Sequence, residues 1–187
     1  MTINSLVGLA AAGIFLCSCQ SNSYHIDGFA NKFQEGDTIC LTKDDHLGHS
    51  IAQTVVKDGR FHFWGETDSI GLFRVYVKQE SEYGVSFFLE PGHITIELLP
   101  QQAMSRVSGT VINNEWQLLS DSIIMLAKDI TMQQKGTVND SIEQKKRAHA
   151  IDSLHQRMST CILNTAARNK DNQLGKYIQE NYKAPEF

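Results

Sequence analysis

Seven histidines in a chain of 187 residues are the side chains best suited to metal ligation or proton transfer. Only one pair is close in sequence, His46-Leu47-Gly48-His49, with Asp44 and Asp45 just before it. A tetrahedral zinc site needs three or four ligands, and no Cys, Asp or Glu cluster elsewhere completes this pair. The segment therefore reads as a solvated loop, and no metal ligand is assigned. His62 and His93 fall within strands and read as structural. Nucleophilic catalysis needs a positioned Ser or Cys beside a base, but there is no G-x-S-x-G elbow, and Ser105, Ser108 and Ser122 lie in ordinary contexts. Glu90 lies in a turn, where stabilising that turn is its expected role. No catalytic, metal or cofactor-binding residue emerges, so the chain is expected not to be an enzyme. Recognition is left to aromatic side chains. Trp64 and Tyr76 fall on outward faces by strand alternation, either as a ligand platform or as packing beneath helices.

Cys19 invites a different chemistry. Residues Leu6 to Leu16 form an apolar or small run that ends at a small residue followed by a cysteine. Such a run is too short to span a bilayer and has the form of a signal-peptide core, although Met1 to Ser5 carries no Lys or Arg. The stretch Leu16-Cys17-Ser18-Cys19 resembles the bacterial lipobox, which implies cleavage before Cys19 and acylation of its thiol. The expected organisation is a lipoprotein signal peptide over 1–18, a tether over 19–23, a β-sandwich over 24–110 and a helical region over 111–187. The membrane is then a partner through N-terminal acyl chains, which bind by roughly 0.8 kcal/mol per buried methylene. Gln20 and Ser21 do not resemble the Asp-type retention signal of enteric bacteria, and no acidic run follows. Attachment to the outer membrane, facing the periplasm, is expected.

The remaining composition narrows the partners. A formal charge of −4 argues against nucleic acid, which needs clustered Lys and Arg. The basic run Lys145-Lys146-Arg147 reads as a solvated helix face. Cys40 and Cys161 remain after processing; they read as small buried hydrophobes rather than a bridge, and nothing is C-x-x-C.

A period of two dominates from Tyr24 to Gly109, with turn residues about every ten positions, as in an antiparallel sandwich. Asp58-Gly59 predicts a type I′ hairpin pairing Val56 with Phe61 and Thr54 with Phe63. That register puts Ala52, Thr54, Val56, Phe61 and Phe63 on one face and Val55, His62 and Trp64 on the other. Phe73, Val75 and Val77, then Val85, Phe87 and Leu89, then Ile94, Ile96 and Leu98 point inward by the same rule. Beyond Gly109 the period becomes helical. Trp116, Leu119, Ile123, Leu126 and Ile130 form the stripe of a helix predicted to start at an Asn113 cap and stop at Gly136. A second helix opens at Asp140-Ser141-Ile142-Glu143 and carries Ile151, Leu154, Met158, Cys161 and Ile162, and Leu174, Tyr177 and Ile178 suggest a third. Their apolar stripes must pack on the sandwich or on a second copy.

The segments Asp58 to Gly65, Phe87-Phe88-Leu89-Glu90-Pro91-Gly92, and Val107-Ser108-Gly109 followed by Asn113-Asn114 resemble domain of unknown function 4369. That domain is the N-terminal part of lipid-anchored thioredoxin-like (thiol-disulfide oxidoreductase) proteins of Gram-negative bacteria. The resemblance implies a helical connector leading to a thioredoxin fold with a C-x-x-C pair. Without those residues the reductase activity is not carried over. Two roles are therefore expected: a binding or scaffold module of the cell envelope, or an accessory, remnant or detached N-terminal half of such an oxidoreductase. An unrecognised hydrolase is a third alternative.

Overall fold

The computed structural model describes residues 22–44, 49–100, 104–135 and 140–182. The lipobox with Cys19, the residues Asp45 and His46, and the helix stop assigned to Gly136 lie outside them. Eight strands precede three helices: β1 (Ser23–Phe29), β2 (Thr38–Lys43), β3 (Ala52–Val55), β4 (Arg60–Glu66), β5 (Gly71–Val77), β6 (Glu80–Leu89), β7 (Gly92–Glu97), β8 (Arg106–Ser108), α1 (Val111–Gln134), α2 (Ser141–Arg168) and α3 (Gln173–Asn181). They form two four-stranded sheets, β4-β1-β7-β8 and β3-β2-β5-β6. All pairs are antiparallel except β1 with β7. This parallel pair departs from the wholly antiparallel expectation. β7 enters its sheet from β6 of the other sheet, so no hairpin dictates its direction.

Alternation works as the sequence suggests. Ile26, Ile39, Leu41, Val75, Phe87, Ile94, Ile96 and Leu98 are all fully buried between the sheets. Phe61 lies over Gly28, its register partner on β1; a Cβ there would come within 2.1 Å of the ring, so only glycine leaves room.

Asp58 and Gly59 both have positive φ, 52° and 69°, as a type I′ turn requires. The ladder around this turn stops at Lys57 and Arg60, and β3 and β4 then join different sheets. The expected pairing of Thr54 with Phe63 is not made. Each strand has a better partner, β3 on β2 and β4 on β1, and the turn closes one side of the sandwich instead.

The other side is closed by α1, which runs beside the edge strands β6 and β8. The Asn113 side chain accepts from the Phe88 N–H and donates to the Phe88 carbonyl, each at 2.8 Å, while Trp116 Nε1 donates to the Ser86 carbonyl at 2.8 Å. On the opposite edge Gln117 accepts from the Val107 N–H at 2.7 Å and Asn114 from the Gly109 N–H at 3.1 Å. Helical spacing puts positions 113 and 116 towards one sheet and 114 and 117 towards the other, and both exposed edges are covered. Asn113 is thus not the cap; Thr110 is, and Asn113 lies fully buried within the helix.

The helices pack on the sandwich through a second apolar cluster. Phe88 meets Ile112, Leu119, Ala166, Leu174 and Ile178, with Trp116 and Tyr177 edge-on to its ring at 5.7 and 5.9 Å. Asp140 caps α2 and Asn172 caps α3, each accepting backbone N–H groups. Cys40 is buried, Cys161 half-buried, and both are free thiols.

Candidate functional site

The outer face of the first sheet gathers side chains by register alone. His25 on β1 pairs with Trp64 on β4 and with His93 on β7, forming one row across three strands. Two residues along, Asp27 pairs with His62 and Thr95; two further, Phe29 pairs with Arg60 and Glu97. Side chains of a row, and those two apart on one strand, share a face. All three imidazoles are exposed, and Asp27 between them is partly buried.

Asp27 is the hub. His62 Nδ1 lies 2.7 Å from its Oδ1, His93 Nε2 lies 2.5 Å from its Oδ2, and His25 Nε2 approaches Oδ1 at 3.4 Å. The bond from His93 is the main influence holding the Asp27 carboxyl below the usual carboxylate range; the bond from His62 and the charge of His25 act the same way, while partial burial opposes them. The rings also touch one another, His25 lying 5.4 Å from His93 and 6.2 Å from His62 between centroids. Ligand atoms of His25, Asp27 and His93 lie within 4.8 Å of one another, close enough to share a cation. A groove of about 590 Å³ begins beside the cluster at Thr95 and runs between Phe29, Glu97, Arg106, Ser108 and Asn114.

The two aromatic candidates separate. Trp64 is 75 % exposed on this face, with no helix among the described residues over it, whereas Tyr76 is 7 % exposed on the other sheet, between Cys40 and Gly84. They cannot form one platform. An exposed indole contributes little to folding, so Trp64→Ala is expected to leave the melting temperature unchanged, within about 0.5 kcal/mol in stability by thermal or urea unfolding.

His62 and His93, expected to be structural, point to solvent and meet at Asp27. The alternation that put His62 outward was a usable signal, but nothing local joins residues 25, 62 and 93. His49 serves through its carbonyl, which accepts from Thr42 at 3.0 Å. Among the described residues, Ser122 donates back to the Leu118 carbonyl within α1 and Ser105 bonds the backbone of Leu99; neither is beside a histidine in these bonds.

Glu90 is buried near the start of α1, where the Thr110 side chain and the backbone N–H groups of Asn113 and Ile112 act on its carboxyl while Oε1 makes no hydrogen bond among the described residues. Burial pushes its carboxyl above the usual glutamate range, and those groups only partly offset it. The folded chain therefore keeps this proton to higher pH than the unfolded chain. Its contribution is complete below the ordinary glutamate value and falls as pH rises through the raised one. Glu90→Gln should melt above the parent at about pH 7 and together with it near about pH 4. An equal difference at both pH values would reject this account.

Fold and surface together define a β-sandwich closed by a helix, with one sheet face left open and carrying a histidine-carboxylate cluster. Residues 24–116, from β1 into the first turns of α1, match the family described as Domain of unknown function (DUF4369). The description of that family assigns it no activity. No curated protein matches the chain. Among solved structures the chain is similar to 5-hydroxyisourate hydrolase of Klebsiella pneumoniae, at 13 % identity and a TM-score of 0.33, over 48 % of this chain and 93 % of that one. A likeness so slight extends nothing of that enzyme to this protein.

Proposed function

We propose that this is a non-enzymatic, lipid-anchored protein of the cell envelope, held at the periplasmic side of the outer membrane, and that it is a binding or scaffold module. The observation that carries the reading is the open face of the first sheet. There Trp64, His25 and His93 stand in one row on a rigid ladder, and no element among the described residues covers them. Rigid strands that present an exposed indole beside polar rings suit recognition, because little side-chain freedom is lost on contact. The resemblance of residues 16–19 to a lipobox supports the anchor. No helix among the described residues is long and apolar enough to cross a membrane.

Intact mass of the protein extracted from membranes tests the anchor. The expected species begins at Cys19 and carries acyl groups, and Cys19→Ala is expected to abolish both cleavage and acylation. An unmodified chain beginning at Met1 would refute it. The second reading, service to a thioredoxin-like oxidoreductase, is supported by the helical hairpin that follows the family domain, where the resemblance implies a connector. An adjacent reading frame encoding a thioredoxin fold with C-x-x-C would favour it, and an unrelated neighbour would remove its support.

A further inference from the structure

The histidines at 25, 62 and 93 come from three strands and converge on one carboxylate. His62 bonds its Oδ1 and His93 its Oδ2. His25 directs Nε2 at the same carboxylate from 3.4 Å, too far for a good N–H···O bond. The rings lie 5.4 and 6.2 Å apart between centroids, so their nitrogens and the carboxylate oxygens converge on one small region.

We propose that His25, Asp27 and His93 form a binding site for a divalent late transition-metal cation of the zinc class. Two imidazole nitrogens with one carboxylate oxygen are a ligand set that zinc accepts while keeping positions open for water or an incoming donor. The backbone sets the geometry. His25 and His93 are direct partners across the parallel β1–β7 pair, and Asp27 is two residues along β1 on the same face. Donors bound at about 2.0 Å in a tetrahedron sit roughly 3.3 Å apart. The ligand atoms already lie within 4.8 Å of one another, and reaching that spacing means opening the 2.5 Å contact between His93 Nε2 and Asp27 Oδ2 by side-chain rotation. His62, through Nδ1 on Asp27 Oδ1, orients the carboxylate from outside the ligand set. The open positions face solvent beside Trp64, so a bound cation would add a charged, donor-seeking centre to the exposed row.

This deepens the reading of the open face as a binding surface and is independent of the lipid anchor. The test uses the purified full chain, from membranes or from the soluble fraction, stripped with a chelator. Zinc is then titrated by calorimetry, and bound metal is counted by mass spectrometry after dialysis. About one Zn²⁺ per chain is expected. His25→Ala with His93→Ala, and Asp27→Asn alone, should each weaken binding at least tenfold, and His62→Ala should weaken it less. Circular dichroism of each variant should match the parent without zinc; the melting temperatures of the histidine variants should stay close to it, while Asp27→Asn, which loses the bonds that lower its carboxyl, should melt lower. His149→Ala with His155→Ala on α2, and His46→Ala with His49→Ala, should bind as the parent does. Bound zinc well below one per chain would overturn the proposal. So would full binding by the His25 and His93 double variant, or loss of binding only in one of the other two pairs. None of these outcomes bears on acylation at Cys19, which the mass measurement decides separately.

Discussion

Asn113→Ala should destabilise the protein by about 2–5 kcal/mol, lowering its melting temperature by roughly 5–15 °C. The side-chain amide at 113 replaces a missing strand at the edge of β6, accepting from the Phe88 N–H and donating to the Phe88 carbonyl. Phe88 and Asn113 are both fully buried, so water cannot take over these bonds without opening the helix-sheet contact. Each abandoned group then costs about 1–3 kcal/mol, and both belong to the same residue. Asn113→Asp keeps the acceptor but loses the donor and buries a charge beside a carbonyl, so it should be no better than alanine. Asn114→Ala is the control. Asn114 is exposed and makes one longer bond, of 3.1 Å, to the Gly109 N–H, and its loss should stay near 1 kcal/mol or below. Equal effects at the two positions in urea unfolding would show that α1 is held by apolar contact alone.

Asn113 also shows where sequence reading stopped. Asn-Asn ahead of an apolar stripe has the form of a helix start, because a short polar side chain there normally accepts an N–H of its own helix. Its acceptor is used 25 residues away in sequence, on an edge strand, and only the fold reveals that the edge is there. The same limit explains Asp58-Gly59. The turn and the inward placement of Phe61 and Phe63 were legible because both are local, set by φ and by a period of two. The separation of β3 and β4 into two sheets was not, because it depends on competition from β1 and β2. The histidine cluster lies furthest beyond local rules. His25 and Asp27 share a face by alternation, but His93 joins them only through a parallel pairing across 68 positions. Trp64 and Tyr76 were both correctly turned away from the sandwich core, yet outward means solvent on the first sheet and burial on the second. Alternation assigns a face; it says nothing of what covers that face.

Phe61→Ala is expected to destabilise the sandwich core by about 3–5 kcal/mol. The ring is 1 % exposed and lies over Gly28 with Phe63 edge-on at 6.0 Å, so truncation leaves a cavity that neighbouring strands cannot fill without breaking ladder bonds. The glycine supplies a sharper test of the same contact. Gly28→Ala places a methyl group within about 2.2 Å of three ring carbons, so the ring must be displaced, at about 1–3 kcal/mol. In the Phe61→Ala background that methyl group enters the vacated space and the penalty should vanish or reverse. The double variant should then be no less stable than Phe61→Ala alone, with a coupling of about 1–3 kcal/mol. Additive losses in urea unfolding would mean that Gly28 is required for its backbone conformation, not for the room it leaves, and that Phe61 does not lie against Gly28 across the β1–β4 pair. Gly28 has no positive φ, which already argues for room over conformation. The experiment therefore reads strand register directly: only if Gly28 and Phe61 face each other across β1 and β4 can one substitution cancel the effect of the other.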